Sequence, residues 1–151
     1  MSNRFSRLTA IAALSLMSTA ALAGEYFETD GVALRGYDPV AYFFSSEAQK
    51  GQAQYSYEYK GSKFYFASEA NKRAFMATPE KYAPQFGGYC AYGTAQGYKV
   101  STQPDAFAIV KDKLYLNYDK KVQKIWQQDV PGNIRQAEKN WPEVSQAPQK
   151  D

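Results

Sequence analysis

Histidine is absent from the 151-residue chain, and cysteine occurs once, at Cys90. The first absence removes Ser-His-Asp and Cys-His couples, imidazole metal ligands and the Cys-x-x-Cys-His attachment of haem. The second removes any internal disulfide. In an oxidising compartment a lone thiol is buried and inert, bonded to another molecule, or reactive. Burial is the common outcome, because free cysteine packs as a small hydrophobe. Calcium-loop runs of the Asp-x-Asp-x-Asp type are missing, and Gly87-Gly88 is not a phosphate-loop pattern. No catalytic couple is recognisable, so whether the chain is an enzyme stays open, with a non-enzyme preferred.

Beyond residue 23 there is no apolar run long enough to span a bilayer. The chain begins instead with Arg4 and Arg7, a short apolar stretch from Leu8 to Ala20, and the small-x-small run Ala21-Leu22-Ala23. This is the pattern of a cleaved export signal over residues 1–23. Gly24 follows the cut, where a lipid anchor requires cysteine, so the expected product is soluble and periplasmic or secreted. Cleavage removes two arginines and leaves 16 Lys and Arg against 15 Asp and Glu, a net charge of +1. The whole-chain pI of 8.8 therefore overstates the basicity. Nothing in this balance points to nucleic acid. Lys111, Lys113, Lys120, Lys121 and Lys124 read as a solvated surface.

What is plentiful is aromatic: 13 Tyr and 9 Phe. Tyr55, Tyr57 and Tyr59 alternate with polar residues, which is the period of a half-buried strand. Lys60-Gly61-Ser62-Lys63 supplies a turn and Phe64-Tyr65-Phe66 the return strand. Ser68 then stands as the N-cap of a helix with Ala70, Ala74 and Ala77 on one face and Phe75 beside it. Thr78-Pro79 opens a short second helix that Pro84 ends. Before this unit, residues 24–36 read as an irregular lead-in, Asp38-Pro39 as a turn, Val40 to Phe44 as a short strand and Ser45 to Gln54 as a loop.

After it, the Gly- and Tyr-rich stretch 85–105 carries Cys90 among tight turns, with no helix assigned. A second hairpin is predicted from Phe107–Val110 to Leu114–Leu116, turning at Lys111-Asp112-Lys113. Asp119 caps a helix with Val122, Ile125 and Trp126 on one face, and Pro131 starts another with Ile134, Ala137 and Trp141. Residues 142–151 read as a frayed polar tail. The expected architecture is α+β: one small domain over residues 24–141, a hairpin followed by helix, then a second hairpin and C-terminal helices.

Asp38-Pro39-Val40, Tyr59-Lys60-Gly61, Phe64-Tyr65-Phe66-Ala67-Ser68, Phe75 and Pro79-Glu80-Lys81-Tyr82 fall in one order. Together they resemble the YHS domain over about residues 36–83. That family comprises small cysteine-containing modules related to treble-clef-like metal-binding units. It is found in copper-transporting ATPases, oxygenase subunits and exported proteins. The resemblance implies a fold of the hairpin–helix type and, in metal-binding members, thiolate ligands. Those thiolates fall here on Ala41, Ala67 and Asn71, and the family's histidine near Ser56 or Tyr57. A methyl group ligates neither copper nor zinc. A copper ion is the cofactor the resemblance allows, and none is required. Cys90 with the Met76 thioether is the one soft pair left.

Three readings follow. The first is an exported binding module for a metal or small ligand, with Cys90, Tyr89, Tyr92, Asp38 and Tyr65 as candidate ligand-binding residues and Cys90 and Met76 as candidate metal ligands. The second is thiol chemistry at Cys90, with glycine N–H groups stabilising a thiolate. The third is a structural or protein-interaction domain with Cys90 in the core. The partner is an unidentified small ligand or protein, with neither nucleic acid nor a membrane span after cleavage.

Overall fold

A computed structural model describes residues 24–151. The predicted export signal and its cut before Gly24 lie outside the described residues, apart from Gly24 itself. Two short strands open the fold, β1 (Glu28–Thr29) and β2 (Val32–Ala33). The predicted hairpin follows as β3 (Gln52–Tyr59) and β4 (Ser62–Phe66), in a sheet of order β1-β2-β4-β3 with β2 parallel to β4. Lys60 and Gly61 both have positive φ, 48° and 77°, the backbone of a primed hairpin turn. Tyr57 lies opposite Phe64 and Tyr59 opposite Ser62, with an irregularity between Gln52 and Ser56. β3 thus begins three residues before Tyr55, in the stretch expected to be loop.

Helix α1 (Ala41–Phe44) replaces the strand expected at Val40 to Phe44. A short apolar run fits either element by pattern. Here the Asp38 carboxylate accepts the N–H groups of Val40 and Ala41 at 2.8 and 3.2 Å and fixes the helical turn. Helix α2 (Glu69–Ala77) starts at Ser68, whose hydroxyl accepts the Asn71 N–H, and α3 (Pro79–Tyr82) follows. The buried face of α2 is not the alanine stripe, since Ala70 and Ala77 are exposed. It is Phe75, ringed by Phe64, Phe66, Tyr59 and Tyr57 with centroids 5.0 to 6.2 Å away. This aromatic hub forms the first core together with Val40, Tyr42, Leu114 and Leu116.

The second core joins Phe86, Ala91, Tyr115, Trp126 and Ala137. Its elements are α4 (Ala91–Ala95), the hairpin β5 (Phe107–Val110) and β6 (Lys113–Leu116), α5 (Lys120–Trp126) and α6 (Val130–Val144). Asp119 caps α5 through the Val122 N–H and Asp129 caps α6 through Gly132. Of the face expected on α5, Trp126 is buried and Ile125 lies exposed.

The tail expected to fray is held. α6 runs through Pro142 because Val144 is buried, and Lys150 N–H donates to the Lys99 carbonyl at 2.9 Å.

Two left-handed turns, Leu34-Arg35-Gly36 and Phe86-Gly87-Gly88, have positive φ at all six positions. They meet directly: a Cβ on Gly88 would lie 2.5 Å from Leu34 Cδ2. Thr102 ties them, its hydroxyl donating to the Gly88 carbonyl (2.7 Å) and its carbonyl accepting from Arg35 Nε (3.0 Å). This join sets the chain direction immediately before Cys90.

Candidate functional site

Cys90 is 1% exposed and caps α4, so the stretch around it does contain a short helix. Its sulfur accepts N–H bonds from Gly93 at 3.3 Å and Tyr118 at 3.2 Å. The thiol donates to Asn117 Oδ1 at 3.6 Å, and the same oxygen accepts the Tyr92 N–H at 3.1 Å. Burial pushes the Cys90 thiol above its ordinary value. The N–H groups of Gly93, Tyr118 and Tyr92 pull it back, and the Asp119 charge adds to the rise. The glycine N–H expected to stabilise a thiolate is present, but desolvation outweighs it and the thiol stays protonated at neutral pH.

Cys90 forms the back of an apolar cleft of 360 Å³, within the range of small-ligand pockets. Tyr92 and Gly93 come from α4, Tyr98 and Val100 from the irregular stretch after it, Tyr118 from just before α5 and Val122 from its first turn. Asp151 stands at its edge, with Ser101 donating to its carboxylate through both N–H and Oγ. Lys150 Nζ lies 4.3 Å from the Tyr98 ring centroid, so the tail braces one wall. Behind the wall, Asn117 is fully buried and its Nδ2 has no partner among the described residues. Leaving a buried donor unpaired costs about 1–3 kcal/mol.

The predicted site residues therefore separate. Cys90 and Tyr92 share the cleft. Tyr89 does not: its ring packs between Phe27 and Trp141, with Lys99 Nζ 4.6 Å from the centroid. Tyr65 lies on β4 beside Gly36 and Lys50, on another face. Met76 stands 46% exposed on α2, which packs on β3 and β4, and is not part of the cleft. Tyr98, Val100, Tyr118, Val122 and Asn117 were not anticipated. The signal available for them was weak: Tyr98 and Tyr118 are aromatics outside any periodic segment.

Asp38 is fully buried and belongs to a different arrangement. Besides Val40 and Ala41, its carboxylate accepts the Ala67 N–H at 2.8 Å and the Asn71 Nδ2 amide at 2.7 Å. One anion thus joins the start of α1, the end of β4 and the first turn of α2. Four donors satisfy it, which is what a buried carboxylate requires.

Residues 48–86, from the approach to β3 through the turn before Gly87, match the family profile of the YHS domain. The match covers 39 of the 151 residues, and over that segment the chain is similar to the YHS domain. No curated protein and no solved structure matches the chain. The matched segment holds the hairpin, α2, α3 and the Phe75 hub, while Asp38 and Cys90 fall on either side of it.

The soft metal associated with the YHS family does not fit the residues present. Ala41, Ala67 and Asn71, on which the family's thiolates fall, do converge, but on the Asp38 carboxylate. Two of the three contribute only a backbone N–H, which is a donor and not a ligand. Among the described residues no group of three or more His, Cys, Asp or Glu side chains is placed to hold an ion. Cys90 and Met76, the remaining soft pair, are not brought together.

Proposed function

We propose that the chain is an exported binding module in which the YHS segment is the scaffold and the Cys90 cleft is the ligand site. The ligand is a small, largely apolar molecule with one or two polar atoms. The observation that carries this reading is the convergence of Cys90, Tyr92, Tyr98, Val100, Tyr118 and Val122 from three separate stretches of chain around one concave apolar surface. Tyrosines offer flat apolar area and a hydroxyl at the rim, which suits a ring-containing or branched ligand. Its donor set disfavours a metal, and the protonated, buried thiol disfavours a nucleophilic role. Export, and with it a periplasmic or extracellular setting, rests on the leader-like residues 1–23.

The test is an amide-resolved NMR titration with 2-naphthol, a bicyclic probe carrying one hydroxyl. Saturable shifts centred on Tyr92, Gly93, Tyr98 and Tyr118, lost in Val122→Trp, support the reading. Shifts scattered over the surface, or unchanged in the filled variant, refute it and leave a structural or interaction domain.

A further inference from the structure

The lysines of the β5–β6 turn, read from sequence as plain solvated surface, border a second groove of 360 Å³ against the second core, with none of the cleft's residues in its lining. One wall is the hairpin, with Val110, Lys111, Lys113 and Tyr115. The other is the first turns of α6, with Val130, Ile134, Arg135 and Glu138. Its floor is apolar: Val110, Val130 and Ile134 are half-buried against the second core, and Tyr115 belongs to it. Lys111, Lys113 and Arg135 share the lining with one carboxylate, Glu138, and none of the three has an ion-pair partner among the described residues. Two further acids lie near: Asp112, exposed in the turn, and Asp129, occupied in capping α6.

We propose that this groove binds a carboxylate with an aliphatic body, a fatty-acid-type anion. Charge complementarity selects the head group, since three unpaired cations stand over an apolar floor. Burying apolar chain against Val110, Val130 and Ile134 removes it from water, and the guanidinium and ammonium groups supply charge-assisted hydrogen bonds. From Val130 to Glu138 the helix advances about 12 Å at 1.5 Å per residue, so the ligand is an elongated chain rather than a compact ion. The segment 1–23, whose charges are Arg4 and Arg7, is electrostatically mismatched as an occupant. A second copy of the chain presents the same excess of cations at this face.

The experiment is an NMR titration of the purified protein with decanoate, decanol and decyltrimethylammonium, each below its micelle concentration. Decanoate is expected to shift amides at Val110, Lys113, Ile134 and Arg135, to bind at least tenfold tighter than decanol, and to weaken with added salt. The triple variant Lys111→Ser, Lys113→Ser, Arg135→Ser, all at exposed positions, is expected to lose that preference with an unchanged melting temperature. Equal affinity for decanol and decanoate overturns the proposal, as does a decanoate affinity the triple variant leaves intact. Shifts confined to the Cys90 cleft, or concentration-dependent dimerisation through Ile134 in sedimentation, overturn it as well. Val122→Trp is expected to leave decanoate binding unchanged, so this groove and the cleft fail or stand separately.

Discussion

Asp38 and Asn71, 33 residues apart in sequence, meet in a 2.7 Å hydrogen bond from the amide to a fully buried carboxylate. The bond turns Asn71 inward on α2 one helical turn before Phe75, and so couples a polar centre just outside the matched segment to the aromatic hub within it. Asp38→Ala strands the N–H groups of Val40, Ala41 and Ala67 along with the Asn71 amide. The expected loss is about 3 kcal/mol or more, at about 1–3 kcal/mol per stranded buried donor. Urea denaturation measures it. A loss below about 1 kcal/mol shows that the carboxylate is not the organising centre.

Asn71→Ala removes one charge-assisted bond and leaves three. The expected cost is smaller, about 1.5–3 kcal/mol. Its effect and that of Asp38→Ala must be non-additive in a double-mutant cycle, because both remove the same contact. Strict additivity argues against the coupling.

Soft-metal affinity is expected to be weak, and any tight Cu(I) or Zn(II) site must use Cys90, the chain's single thiol. Competition against a calibrated chelator, on the wild type and on Cys90→Ser, measures this. Tight binding that survives the serine substitution contradicts the assignment, since no other thiolate exists to explain it.

The Cys90 thiol carries a definite pH signature. Its folded value lies above the ordinary 9.0, so above pH 9 the unfolded chain gives up this proton before the folded one does. The thiol's contribution to stability is therefore full below the ordinary value and is lost as pH rises towards the raised folded value. Because the native thiol is protonated and 1% exposed, iodoacetamide is expected to label it slowly at pH 8 and rapidly once the protein is unfolded. Native labelling as fast as that of the denatured chain refutes a buried, protonated thiol.

Much of the hairpin and helix framework was legible because its signals are local. The Tyr55, Tyr57, Tyr59 alternation marked β3, Gly61 the turn, and Ser68 and Asp119 the caps. Val40 to Phe44 misled because a short apolar run has no decisive period. What makes α1 a helix is the carboxylate of Asp38, whose other oxygen is engaged 29 residues away at Ala67. Around Cys90, abundant glycine masked a helix that the thiol itself caps. The tail misled in the same way: Pro142 and the polar composition argue for fraying, while Val144, Lys150 and Asp151 are held by tertiary contacts. The cleft was half legible. Cys90 and Tyr92 lie together in sequence, whereas Tyr98, Tyr118 and Val122 join them only once the second hairpin and α5 are folded.

Gly61→Val tests the hairpin turn. Gly61 has φ of 77°, a conformation a β-branched residue adopts only under strain. The expected destabilisation is about 1 kcal/mol or more, read from thermal or urea melts. A variant that melts with the wild type refutes the strained-turn argument.

The central claim is that the Cys90 cleft takes a small apolar ligand, and intermolecular nuclear Overhauser effects between 2-naphthol and the protein test it most directly. The expected result is contacts from the probe's ring protons to the Tyr98 and Tyr118 rings and the Val100 and Val122 methyls, absent in Val122→Trp. Contacts elsewhere, or none at a probe concentration that saturates the amide shifts, contradict it.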